Sequence, residues 1–276
     1  VFATRGWLLG TARTAFRVWQ VYWAHIGVFL VSAAFLAAAD LHGWGAAEVR
    51  YVARPYVVPI FEDAAETLIG LLTLSYVPGL FDILPMYLAI LAMIPVVMAL
   101  RAAGGGGAVA AFVATLWVAA TLAGYARSAD LATWSYGDGP FARDALVLLG
   151  AHLQWLNLPG RPGTDATWFF NPFAWQLVFF TGFAFGMKWL PAPPVDRRLI
   201  AAAAAFLLLS VPFAWHAIHA DGRLPDASAL HAAIAEAREA MRPLWWKTWQ
   251  GALRFLHFLA LAYLAWVAVG PGGRVI

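Results

Sequence analysis

The stretch YVPGLFDILPMYLAILAMIPVVMAL, residues 76–100, decides the fold class of the chain. Its apolar run begins at Ile83 and contains no charged residue before Arg101, and one carboxylate, Asp82, stands directly ahead of it. Pro85 has a fixed φ that suits the first turn of a helix. A helix from Pro85 to Arg101 would rise about 25 Å, close to the thickness of a bilayer's hydrocarbon core. The stretch therefore predicts a membrane-spanning helix with an acidic side chain at its mouth.

The composition points to an integral membrane protein. Of the 276 residues, 62% are hydrophobic and only 12% are charged, whereas soluble domains carry roughly 25% charged residues. The fifteen Trp and eight Tyr residues fit the aromatic belts of membrane helices. Cysteine is absent, which excludes disulfides, thiol catalysis and cysteine-based metal sites. The net charge of +3 is scattered along the chain, so no nucleic-acid partner is expected.

Apolar segments of membrane-crossing length recur along the chain, so we expect one all-α domain over residues 1–276, a polytopic helical bundle with six spans. The predicted spans lie at about 19–39, 83–100, 108–125, 172–189, 199–217 and 251–269. Pro95 removes a backbone hydrogen bond within the second span, which predicts a kink near Leu91. The glycines at 104–107 are expected to link two helices as a tight hairpin.

Two segments between the spans should be structured as well. The connection from residue 125 to 172 is too long to be a simple loop, and residues 142–156 within it are apolar at helical spacing. Residues 226–241 have the pattern of a soluble amphipathic helix on the outer side, with Asp226 or Ser228 as its cap.

Charge predicts how the spans are oriented. If the N-terminal arm is cytoplasmic and six spans alternate, Asp196 is the one acid inside and every other acid lies outside. The inner side then holds these basic residues: Arg5, Arg13, Arg17, Arg101, Lys188, Arg197, Arg198 and Arg274. Basic residues concentrate in short cytoplasmic loops of membrane proteins. The mouth that carries Asp82 should therefore face the periplasm or the cell exterior.

Three ionisable side chains are candidates for chemistry. Asp82 could be a general base or could orient a histidine, or it could be a helix-start residue paired with an arginine. Arg254 and His257 share one face of the last span because they are three residues apart. They could bind an anionic group and shuttle a proton, or they could be an interfacial arginine and a hydrogen-bonded core histidine.

The start of the 172–189 span offers a candidate sugar site. Asn171 precedes a proline and is a natural helix cap. Trp175 and Gln176 follow it, and aromatic rings beside amides can stack on a sugar and bond its hydroxyls. For the aromatic residues 168–170, an interfacial belt is the favoured interpretation.

The remaining polar groups have simpler interpretations. His25 lies inside the first span, where a histidine is expected to hydrogen-bond between helices. His216 and His219 lack further ligands nearby, so no metal site is expected. Arg17 and Arg101 set the topology and could also grip the phosphates of a cytoplasmic donor.

Four blocks of the sequence resemble the OpgC family of membrane transferases, which add succinyl groups to osmoregulated periplasmic glucans and belong to the acyltransferase 3 superfamily. The blocks are RGWLLGTARTAFRVWQVYWAHI, YVPGLFDILPMYLAILAMIP, FFNPFAWQLVFFTGFAFG and LRFLHFLALAYLAWV. The resemblance covers nearly the whole chain and implies a bundle of about ten spans. Two of those helices would precede Val1 and two would follow Ile276, so the piece is expected to be inactive alone.

The resemblance implies a mechanism in the bacterial inner membrane. A succinyl group would pass from a cytoplasmic thioester, succinyl-CoA, to a glucose hydroxyl of a periplasmic glucan, without a bound cofactor. The family's best catalytic candidate is a histidine that closes its first helix. Here Asp82 would support that base or the acceptor, and Arg254 would hold the oxyanion or the succinyl carboxylate.

The residues and the resemblance together predict three groups of site residues, with membrane lipid, the glucan and the acyl-CoA donor as partners. The groups are catalytic Asp82, Arg254 and His257, substrate-binding Asn171, Trp175 and Gln176, and donor-binding Arg17 and Arg101. The alternatives are an acetyltransferase of another surface polysaccharide, a transporter and a structural scaffold.

Overall fold

The computed structural model describes residues 2, 6–44, 49–128, 141–215, 218 and 229–270, without the side chains of 141–143. All regular structure in these ranges is helical apart from one isolated bridge between Pro159 and Thr167. The all-α class is therefore confirmed. The chain divides into two compact units, Val1–Phe180 and Thr181–Ile276, and each is described by itself.

Seven α-helices lie in the described part of the first unit, the last of which runs on across the boundary between the units. Short 3₁₀ turns at Tyr51–Ala53 and Gln154–Leu156 accompany them. The helices are α1 Trp7–Leu41, α2 Val58–Glu62, α3 Ala64–Thr73, α4 Ile83–Ala92, α5 Ile94–Ser128, α6 Phe141–Ala151 and α7 Pro172–Gly186. The second unit adds α8 Arg197–Ala214, α9 Ala229–Ala240, α10 Arg242–Trp245 and α11 Ala252–Val269.

Four helical segments of the described chain are long and apolar enough to cross a membrane. They are Trp7–Leu41, Ile83–Ser128, Arg197–Ala214 and Ala252–Val269. The structure does not show six spans: α7 has only 15 residues, short of the roughly 20 that a crossing needs, and two predicted spans fall within Ile83–Ser128. The count of six and the orientation stay predictions.

The segment Ile83–Ser128 is interrupted twice. Met93 separates α4 from α5 two residues before Pro95, which confirms the predicted kink because proline cannot supply the N–H of a continuous helix. Gly105 has φ 68° and ψ −159° inside α5, a conformation that is essentially restricted to glycine. The glycine run therefore interrupts the helix, while the tight hairpin stays a prediction.

An aromatic core fixes the chain ahead of α4. The Phe29 ring of α1 packs edge-on against Tyr76 and Phe81, with centroids 5.8 and 5.2 Å apart. The Tyr76 hydroxyl donates to the Tyr56 carbonyl at 3.2 Å. Helices in lipid associate through such packing and hydrogen bonds, because the acyl chains around them are as apolar as the side chains. These contacts position Phe81, and so Asp82, against α1.

The long connection to α7 is structured, as predicted. Helix α6 and the 3₁₀ turn at Gln154–Leu156 occupy the stretch 142–156. Gly150 lies directly against the Leu122 carbonyl of α5, where a β-carbon would collide. The Gln154 amide donates to the Ala123 carbonyl at 2.8 Å. This segment therefore forms a platform packed on α5, on which α7 begins.

In the second unit, α8 and α11 pack antiparallel. Asp196 caps α8 by accepting from the N–H groups of Arg198 and Leu199 at 2.9 and 3.0 Å. The Tyr263 hydroxyl of α11 donates to the Pro194 carbonyl at 2.8 Å, which places the start of α8 beside the second half of α11. Helix α9 covers most of the stretch predicted to be helical at 226–241, while its proposed caps lie outside the described residues and its soluble, outer-side placement stays a prediction.

Candidate functional site

The Asp82 side chain is buried at the start of α4, with 2% of its surface exposed. Its carboxylate does not cap the helix; the backbone N–H groups of Phe170 and of Asp82 itself lie close enough to it to favour the charged form. No basic residue in the described part of its unit pairs with it, and its Oδ2 atom has no hydrogen-bond partner there. Burial raises the pKa of the Asp82 carboxyl, and the two backbone N–H groups oppose that rise only in part.

His25 approaches the same place from α1. Its imidazole is 1% exposed and hydrogen-bonds to the backbone of Phe81, the residue before Asp82. The contact runs from α1 to the bend ahead of α4, so the expected hydrogen bond between two helices stays a prediction. The Nε2 atom is buried and has no partner among the described residues. Two buried polar side chains from different helices therefore meet at one short backbone segment.

Asn171 acts as the predicted cap of α7. Its Oδ1 atom accepts from the Phe173 N–H at 2.9 Å, and its Nδ2 atom donates to the Leu156 carbonyl at 2.9 Å. The side chain is 3% exposed. Both ends of the Asn171 amide are hydrogen-bonded within the protein, so this side chain attaches the start of α7 to the 3₁₀ turn at Gln154–Leu156.

Gln176 is fully buried one turn further along α7. Its Nε2 atom donates to the Val113 carbonyl of α5 at 2.9 Å and to the Phe173 carbonyl at 3.2 Å. The Oε1 atom has no partner among the described residues. A buried polar atom without a hydrogen-bond partner costs about 1–3 kcal/mol of stability. Such an atom calls for an explanation, and one explanation is that it binds a ligand.

The structure brings several of the predicted residues of the first unit together. Phe170 donates to Asp82 through its backbone, and its ring packs edge-on against Trp175 with centroids 4.9 Å apart. Asn171 follows Phe170 directly. Sequence reasoning missed the polar roles of Phe81 and Phe170, because they are played by the backbone and carry no side-chain signal.

Arg254 of the second unit lies in an arginine–tryptophan cluster. Its Nε atom donates to the Trp245 carbonyl at 3.2 Å. Arg238 stacks on the Trp245 ring at 4.0 Å, donates to the Phe213 carbonyl at the end of α8, and lies near enough to Arg254 for their charges to interact. Burial lowers the pKa of Arg238. His257 is half-buried on the same helix face, with no hydrogen bond or ion pair among the described residues.

The two arginines proposed to bind the donor have different surroundings. Arg17 is exposed and donates to Gln20 at 3.3 Å. Arg101 folds over the glycine break, with its Nη1 atom 3.1 Å from where a β-carbon on Gly106 would lie. Within the described ranges, no group of three or more His, Asp or Glu residues could hold a metal ion; His216 and His219 lie outside them.

Four apolar helices of membrane-crossing length and a buried carboxylate at the mouth of one of them define a multi-pass membrane protein. The chain belongs to the OpgC family, whose model, described as OpgC protein, matches residues 1–276. No curated protein and no solved structure shows a significant match. The resemblance read from the four sequence blocks is thus confirmed, and membership implies a function related to glucan succinyltransferases, with acyl transfer as its chemistry.

Proposed function

We propose that the protein transfers a succinyl group from a cytoplasmic CoA thioester to glucose hydroxyls of a periplasmic glucan. Membership of the OpgC family supports this reaction class. The observation that supports a role for this chain is the buried Asp82 carboxylate, whose pKa is raised. No described basic residue of its unit pairs with it, and its Oδ2 atom has no described hydrogen-bond partner. Perturbed carboxyl groups of this kind concentrate at functional sites.

The reaction forms a C–O bond to the sugar and breaks the C–S bond of the thioester. The glucose hydroxyl loses its proton to a base as it attacks, and the departing CoA sulfur takes up a proton. In this proposal the base is the histidine that the resemblance places before Val1. Asp82 orients that base or accepts a hydrogen bond from the glucose hydroxyl, and Arg254 stabilises the oxyanion or holds the succinyl carboxylate.

The other site residues receive narrower roles. Gln176 has the one free amide oxygen described at the start of α7, so it can accept a bond from a sugar hydroxyl, while Trp175 supplies an aromatic face. Asn171 orders this region, since protein groups fill its own hydrogen bonds. His257 would move a proton beside Arg254, and Arg17 and Arg101 would contact the donor's phosphates.

Asp82→Asn in the full-length enzyme tests the proposal. Loss of a carboxylate that orients a catalytic histidine can cost about 10⁴-fold, so succinylation of glucans, measured by mass spectrometry, should fall by about a hundredfold or more. Asp63→Asn is the matched control, because Asp63 is an exposed cap of α3 and asparagine caps equally well. Unchanged succinylation with normal expression of Asp82→Asn would remove Asp82 from the mechanism.

Glucans from a deletion strain test the reaction itself. Loss of a succinyl mass supports the proposal. Loss of an acetyl mass would replace it with acetyl transfer, and an unmodified glucan in the wrong compartment would replace it with transport. A scaffold would leave all products unchanged when Arg254 or His257 is substituted.

A further inference from the structure

A large cleft lies between α8 and α11 in the second unit. Its volume is about 890 Å³, near the upper end of the roughly 300–1,000 Å³ typical of ligand pockets. Ala203 and Ala260 line it and pack with Tyr263 in a small hydrophobic cluster. Because alanine side chains are short, the packed helices leave a groove along these two faces, and the cleft follows from their sequence.

One end of the cleft is polar. Lys188 lines it, and its side chain has no hydrogen bond or ion pair among the described residues. Trp266 lines it too, although its Nε1–H donor is itself buried and has no described partner. The Tyr263 hydroxyl, by contrast, is engaged with Pro194 and Asp196. The Lys188 ammonium is therefore the cation available at this end.

The rest of the cleft is apolar. Because α8 and α11 are antiparallel, Leu199 and Trp266 lie toward the lysine end, and Phe206 and Leu256 line the other end. The stretch of α8 from Leu199 to Phe206 rises about 10 Å. The lining therefore changes from cationic to apolar along the direction in which a lipid chain would run.

We propose that this cleft binds an anionic phospholipid, with the phosphate at Lys188 and one acyl chain between α8 and α11. Basic pockets between transmembrane helices bind anionic lipid headgroups, and the polarity of the cleft is complementary to such an amphiphile. A CoA thioester fits less well, because the amides of its pantetheine arm would find no hydrogen-bond partners along the apolar walls. The site is independent of the proposed transferase reaction.

Native mass spectrometry of the full-length protein tests this site, with phosphatidylglycerol and phosphatidylcholine as probes. The protein should retain phosphatidylglycerol in preference to phosphatidylcholine. Loss of one cation near a headgroup is worth about 1 kcal/mol, so Lys188→Gln should weaken phosphatidylglycerol binding about fivefold. Lys188→Arg should restore it. Lys247→Gln is the matched control at the other lysine of the chain and should have no effect.

A photoactivatable phosphatidylglycerol locates the bound chain. Cross-links should fall on α8 and α11 and disappear in Ala260→Phe, which fills the cleft; the lysine variants carry the test if that protein does not fold. Equal retention of both lipids, equal binding by Lys188→Gln, cross-links confined to other helices, or displacement by CoA would each overturn the proposal.

Discussion

The His25 imidazole and the Asp82 carboxylate both lie against the peptide group that joins Phe81 to Asp82. His25 hydrogen-bonds to the Phe81 backbone, and the N–H of Asp82 lies close enough to its own carboxylate to favour the charged form. His25 belongs to α1, whereas Asp82 directly precedes α4. We therefore expect changes at His25 to be felt at Asp82 through this peptide group.

His25→Leu should destabilise the protein by about 1–3 kcal/mol, because it leaves the Phe81 carbonyl buried without this donor. His25→Gln keeps an N–H donor and should recover part of that loss. The measurement is unfolding of the purified protein in detergent, followed by tryptophan fluorescence. His152→Leu is the matched control, since His152 is exposed. Equal unfolding of His25→Leu and the control would show that the link to Phe81 carries no stability.

Asp82→Asn should raise the stability at neutral pH while it lowers activity. Burial raises the pKa of Asp82 in the folded protein, so the folded state binds a proton more tightly than the unfolded state does. Below the pKa of Asp82 in the unfolded state, the carboxyl group is protonated in both states and costs no stability. As pH rises through the pKa in the folded state, the buried group ionises and stability is lost. Asparagine does not ionise, and its oxygen can still accept from Phe170.

The check is thermal unfolding from pH 4 to pH 8. The melting temperature of the wild type should fall across this range more than that of Asp82→Asn, with Asp63→Asn following the wild type. Parallel profiles for wild type and Asp82→Asn would mean that the folded protein does not perturb this carboxyl group.

Sequence patterns predicted the parts of the fold that depend on local chemistry. The break before Pro95, the glycine interruption at residue 105 and the Asn171 cap all follow from what one residue does to its own backbone. The helix at 142–156 followed from apolar spacing. The limits of helices were not predicted: α1 begins at Trp7, twelve residues before the predicted start of the span at residue 19, because a helix can continue past its apolar part.

The sequence allowed side chains of the candidate site to be predicted, but not the backbone groups that connect them. Asp82 was singled out because an ionisable group at a membrane boundary tends to be functional, and Gln176 because an amide beside aromatic rings suits a sugar site. The connection between Asp82 and the start of α7 runs through the Phe170 backbone, and a backbone donor leaves no trace in the sequence. Arg238 was not singled out either, because a basic residue on an amphipathic helix looks like part of a solvated face.

Arg238→Gln should destabilise the second unit. The variant loses the stacking on Trp245, which is worth about 0.5–2 kcal/mol for a cation on an aromatic ring, and the bond to the Phe213 carbonyl at the end of α8. Unfolding in detergent should therefore occur at lower temperature. Arg198→Gln is the control, as its side chain is exposed. An unchanged melting temperature for Arg238→Gln would show that this contact does not hold α9 against α8.

Gly105→Ala should destabilise the protein, whereas Gly107→Ala should not. The nearest atom to a β-carbon on Gly105 is Arg101 Nη1 at 3.8 Å, so the methyl group has room. The cost is conformational, about 1–3 kcal/mol for a residue held at this φ and ψ. Gly107 is helical with nothing within 4 Å of the added carbon, and alanine there should gain up to about 1 kcal/mol.

Both variants add the same methyl group to the same helix, two residues apart, so their difference isolates the backbone at the break. Unfolding of the two proteins side by side in one detergent measures that difference directly. Gly105→Ala should unfold at the lower temperature. If the two variants unfold together, the chain does not depend on a glycine-only conformation at residue 105, and α5 can pass through this point as a regular helix.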